Sequence, residues 1–203
     1  LKKIYIKEKL QKNQQQSNIG ICYREGVSLN KRSDLFCFNG LKEDLSNIIL
    51  YVDLRYAQKR FKEEKIIAEL ISKKKLKYIK IWEVEKFKKK NFFSELKKDL
   101  RKISCNNYLD KVLLENSMIF LDKVEFWQSF FEKYNIKIHM DSNEWGIDRG
   151  LNTIIKQTAL HLNGGSSIGK LRSYLSNYPS LHYLYFPNDI FCCWGEKTLK
   201  NFK

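Results

Sequence analysis

The sequence predicts an α/β fold, Rossmann-like, with a mostly parallel sheet flanked by helices. Three observations carry that expectation. Asn47 to Val52 (NIILYV) is an unbroken apolar run closed by Asp53, as suits a strand buried on both faces. A helical stripe and a second apolar run follow it, giving strand, helix and strand at the length of a βαβ unit. The same alternation recurs from Ile136 to the pair Gly164-Gly165.

The elements read as follows. Residues 1–18 end in KNQQQSN and are expected to be loose or peripheral. IGICY and DLFCF, within residues 19–38, suit short strands or edge segments. Residues 59–74 predict a helix, with Ile66, Ile67, Leu70 and Ile71 on one face and Glu69–Lys73 as an i,i+4 pair. Leu76 to Trp82 reads as a strand, and the lysine run 86–90 as a solvated connection. Residues 92–102 predict a short helix. Residues 107–134 predict a long one with a possible break at Asn116-Ser117. Phe120, Val124, Trp127, Phe131 and Tyr134 share its core face.

Ile136 to Met140 predicts a strand ending before Asp141. In the next helix Ile147, Leu151, Ile154, Ile155, Thr158, Ala159 and Leu162 are expected inside, with Arg149, Asn152, Lys156 and His161 pointing elsewhere. The double glycine supplies the left-handed backbone of a helix end. Ser166 to Gly169 and Asp189 to Trp194 read as two further strands. One α/β domain over 19–195 is expected, with 196–203 beginning a linker. The chain opens on Leu1 and its first methionine is Met118, so it is expected to be trimmed or partial.

The formal charge is +15, but lysines outnumber arginines 31 to 7. Nucleic-acid sites favour the bidentate, stacking guanidinium, so the surplus reads first as a solvated surface and nucleic acid is disfavoured. A phosphate-bearing ligand or an anionic membrane surface remains open. The five cysteines include no CxxC pair. They read as reduced fillers of a cytoplasmic protein. No apolar run approaches the ~20 residues that span a bilayer.

GGSSIGK at 164–170 fits the spacing of a phosphate-binding loop. Leu171 stands where the Mg²⁺-binding hydroxyl belongs, and the segment follows a helix, not a strand. A helix stop and a turn into a strand account for it better. The three histidines share no ligand spacing with cysteine or carboxylate, so no metal is expected, and His139 reads as structural.

Asp53 and Asp141 each close an apolar strand, so a parallel sheet puts both on one rim. There an aspartate can take a proton from a hydroxyl or simply cap the next turn. Arg149 lies in the first turn of a helix, where the macrodipole disfavours a cation. Holding an anionic ligand beside the helix N–H groups would explain it, and so would a pair with Glu144 or Asp148. Arg172, after the glycine turn, reads the same way. Gln157 is either a satisfied amide or a contact to the crevice.

SDLFCFNG…NIILYVD, then GIDRGLNTIIKQTALHLNGGSSIGKLRSY, then DIFCCWG resemble a family of bacterial surface-polysaccharide biosynthesis proteins with a GT-B glycosyltransferase layout. The likeness covers roughly residues 33–53 and 146–195. Cys37, Phe38 and Asn39 depart from it where aromatic residues are often expected. The resemblance implies two Rossmann-like domains around a cleft, with the nucleotide-sugar donor held mainly by the second. This chain would be the first, acceptor-side domain. By motif position Asp141, Arg149, Gln157, Gly164, Gly165, Arg172 and Ser173 would face the cleft. The expected function is sugar transfer from a nucleotide-sugar donor to a glycan acceptor, without a bound cofactor. The expected location is the cytoplasm, with peripheral contact at the inner membrane. The alternatives are a basic module that binds nucleic acid or an anionic surface without catalysis, and a scaffold without chemistry.

Overall fold

The computed structural model describes residues 17–22, 44–52, 64–81, 91–142, 147–170 and 189–192. Among them lie six strands: β1 (Asn18–Cys22), β2 (Ile48–Val52), β3 (Lys77–Lys80), β4 (Ile136–Ser142), β5 (Ser166–Lys170) and β6 (Ile190–Cys192). The four helices are α1 (Glu64–Lys74), α2 (Ser94–Arg101), α3 (Tyr108–Lys133) and α4 (Ile147–Leu162). The strands form one sheet in the order β3-β2-β1-β4-β5-β6. Every pairing is parallel. The fold is therefore α/β and Rossmann-like.

Strand β2 shows why. Its residues alternate between two cores, as a period of two requires. Ile48, Leu50 and Val52 join Ile67 and Leu70 of α1 on one face. Ile49 and Tyr51 join Val124, Trp127, Phe130 and Phe131 of α3, and Ile155, Ala159 and Leu160 of α4, on the other. A sheet covered on both faces needs apolar side chains on both, which is why NIILYV has no polar alternation. Asn18 is already part of β1. Its backbone N–H reaches Asn135 O at 2.9 Å and its side chain reaches Tyr134 O at 2.6 Å, tying the starts of β1 and β4 together.

Helix α3 is continuous through Asn116-Ser117. Asn116 Nδ2 donates to Val112 O at 2.9 Å, and Ser117 Oγ to Leu113 O at 2.8 Å. These side chains bond back one turn instead of competing for the backbone. Asn107 caps the helix, accepting from Asp110 N at 2.9 Å.

β4 continues through Asp141, which pairs with Gly169, so the strand does not stop before the aspartate. At the other end of α4, Gly164 has φ +68°. A Cβ on Gly165 would lie 2.7 Å from Lys137 O and 2.7 Å from Leu160 Cδ1. The first glycine makes the left-handed turn and the second lets α4 pass close to β4. GGSSIGK is thus a helix stop leading into β5. DLFCF, the lysine run 86–90 and the tail 196–203 lie outside the described residues.

Candidate functional site

The strand order reverses between β1 and β4. The chain steps outward from β1 to β3 and returns to build β4, β5 and β6 on the other side. In open parallel sheets ligands sit beyond the carboxyl ends of the strands at such a switch point. Cys22 ends β1 there. Asp141 and Ser142 end β4, pairing with Gly169 and Lys170 and extending past the last β1–β4 pair, Ile21 with Met140. Helix α4 begins at Ile147, five residues after Ser142, so its N-terminal N–H groups open at the same edge. Arg149 lies in that first turn.

Behind this rim lies a buried polar cluster drawn from four elements. Lys156 of α4 is 1% exposed. Its Nζ lies 3.2 Å from Cys22 Sγ, 4.6 Å from the ring centre of Trp127 and 5.2 Å from that of Tyr51. Tyr51 Oη shares a 2.6 Å hydrogen bond with His139 Nε2, and the two rings stack at 5.8 Å. The ammonium is held by aromatic faces and a thiol immediately behind the tip of β1. This corrects the expectation that Lys156 points away from the core. His139, 2% exposed, is bonded within the core as expected.

The sequence-derived candidates divide. Asp141 and Arg149 lie on elements that meet at the switch point. Gln157 is half-buried, two turns further along α4. Gly164 and Gly165 lie at the C-terminal end of α4 and the start of β5, on the opposite edge of the sheet from the crevice. Their role there is to end the helix and let it approach β4, which corrects their assignment to the cleft. Asp53 follows β2, and Arg172 and Ser173 follow β5; all three lie outside the described residues. Of the cysteines, Cys22 is buried and Cys105 half-buried.

The chain matches no family model, no curated protein and no solved structure. The site therefore rests on its own geometry.

Two further polar clusters are structural. Asp189 Oδ2 accepts from Ser167 N at 2.7 Å and Ser167 Oγ at 3.0 Å, and lies 2.8 Å from His161 Nε2. Serine, histidine and aspartate meet here, but the carboxylate is in the centre and the imidazole does not touch the hydroxyl. A nucleophilic triad needs the imidazole between the other two. The cluster instead fixes the start of β5 against β6 at the N-terminal edge. Burial raises the Asp189 carboxyl, but the bonds from His161 and Ser167 outweigh it and hold it below the ordinary aspartate range.

A depressed pKa in the folded state stabilises above the unfolded value of about 4 and is lost as pH falls through the folded value. Asp189→Asn is therefore expected to lower Tm at pH 7, and the deficit to shrink as pH is taken from 7 down through the acid range below about 4. Thermal unfolding of both proteins across that range checks it; a constant deficit would contradict it.

In the second cluster Glu125 of α3, 1% exposed, accepts from Phe93 N at 2.8 Å and from Lys97 Nζ. Asp122 also reaches Lys97, at 2.7 Å. Burial lowers the Lys97 ammonium, and the bonds from Asp122 and Glu125 outweigh it, leaving it above the usual lysine value. Phe93 cannot cap α2 with its side chain, so a carboxylate from the neighbouring helix fills that place. The depression lined by Asn91, Ser94, Lys97, Asp122 and Glu125 already contains its anion.

Proposed function

We propose that this chain is a glycosyltransferase-like domain of bacterial surface-polysaccharide biosynthesis, acting in sugar transfer from a nucleotide-sugar donor to a glycan acceptor. The observation that carries the reading is the reversal of strand order between β1 and β4, where β4 ends in Asp141-Ser142 and the N-terminus of α4 opens. A parallel sheet with that reversal presents its binding crevice at this edge. The sequence resemblance supplies the substrate class.

Within this reading Asp141 is the base or orienting group for an acceptor hydroxyl, which must be within hydrogen-bond reach of the group taking its proton. Arg149 contacts phosphate or an acidic sugar beside the helix N–H groups. Arg172, Ser173 and Asp53 complete the rim, and Gln157 lies behind it.

The test is transfer by the full-length protein from sugar nucleotides to acidic oligosaccharides. Asp141→Asn is expected to lower kcat by about 10²–10⁴-fold, the range for general-base loss, with Tm unchanged. Arg149→Ala and Arg172→Ala are expected to raise KM. Transfer untouched by all three substitutions would sink the assignment.

A further inference from the structure

Packing alone does not account for Lys156. Its side chain is 1% exposed, walled by Trp127, Tyr51 and Cys22. Methionine would fill the same space without taking an ammonium out of water, a costly transfer that the two aromatic faces offset only in part. The end of the side chain meets a sulfur: Nζ and Cys22 Sγ lie 3.2 Å apart, brought together across 134 positions of sequence. Cys22, also 1% exposed, is the last residue of β1 and stands at the reversal of strand order. Amine and thiol therefore meet directly behind the crevice edge.

An ammonium beside a thiol favours the thiolate, the form that peroxides oxidise. The resulting sulfenic acid is normally captured by a second thiol or by a neighbouring nitrogen. Among the described residues no second thiol is placed for this. Cys192 lies on β6, three strands from β1, or about 14 Å at the ordinary strand spacing, whereas a disulfide needs Cα atoms within about 7 Å. Cys105 precedes α3, whose first residue stands about 28 Å along the helix from Trp127. The neighbouring nitrogen is in place.

We propose that Cys22 and Lys156 form an oxidation site, which hydrogen peroxide converts into a covalent S–N crosslink, a sulfenamide, between β1 and α4. The thiolate attacks one peroxide oxygen. The O–O bond breaks, leaving the sulfenic acid and hydroxide, and the Lys156 ammonium protonates that hydroxide to water. The freed amine attacks the sulfur, the S–N bond forms and the S–O bond breaks. The departing hydroxide takes a proton from the nitrogen and leaves as a second water. Sulfur is oxidised by two electrons and the peroxide is reduced by two. Excess thiol reverses the step, returning thiol and amine and itself becoming a disulfide. Peroxide is close to water in size, and local opening at the end of β1 admits it. The bond ties the tip of β1 to α4 and closes a long loop, which stabilises the fold by constraining the unfolded chain. The inference does not rest on sugar transfer.

Peptide mass spectrometry of the folded chain after hydrogen peroxide treatment tests it. The expected product joins the peptides of Cys22 and Lys156 at a mass two hydrogens below their sum. It should disappear with dithiothreitol, and Tm should rise on oxidation and return on reduction. Lys156→Met keeps the stem and should give neither the crosslink nor the rise in Tm. Wild-type chain oxidised in urea, where the pair is separated, should give no crosslink either. Cys22 recovered from folded wild-type protein unmodified, as a disulfide or as the sulfinic acid would overturn the proposal. A crosslink formed equally well in urea would overturn it too.

Discussion

Alanine at position 156 is expected to destabilise the domain by about 3 kcal/mol, and methionine by clearly less. The side chain fills space between Trp127, Tyr51 and Cys22. Truncating a long buried stem leaves a cavity, at a cost of about 2–5 kcal/mol for a Met-sized side chain. Methionine keeps the stem and its contact with the indole while removing the desolvated charge, and replacing buried charge by apolar volume is often near neutral. Urea unfolding of the three proteins decides it. Equal losses for alanine and methionine would mean that the ammonium, not the stem, holds the cluster together.

Phe131→Ala is expected to cost about 3–5 kcal/mol, the range for a fully buried phenyl ring. Phe131 has no exposed surface and lies among the rings of Trp127, Phe130 and His139, with centres 5.5–5.9 Å away. It joins α3 to β4 beside the Tyr51–His139 hydrogen bond. Its loss should lower the urea midpoint with little change in m. A change below about 1 kcal/mol would mean that this core is not packed as described.

The parallel sheet was legible because NIILYV and IKIHM are apolar runs of strand length, and because α3 repeats its aromatic residues at helical spacing. The register of α4 was not. Its buried set includes Thr153, Ile155, Lys156, Ala159 and Leu160, so the face is turned towards Lys156, while Leu162 is half exposed. A polarity scale puts lysine outside. Only the aromatic residues of α3 and β2, distant in sequence, make its burial tolerable. Ala159 and Leu160, three and four residues on, were the available sign. The glycine pair misled in another way. It was correctly read as a helix end, yet a helix following a strand in this fold ends at the edge opposite the crevice. Nothing local in 164–165 carries that information. Glu125 as a cap for α2 was equally hidden, since its partner backbone lies 32 residues away.

The most direct measurement is a titration of the full-length protein with sugar nucleotides and acidic oligosaccharides, read through backbone amide shifts. The expected changes fall at Cys22, at Asp141 and Ser142, and in the first turn of α4 from Ile147 to Gly150, leaving Gly164, Ser167 and Asp189 still. Shifts at that second group, or none anywhere at millimolar ligand, would contradict a binding crevice at the reversal of the sheet.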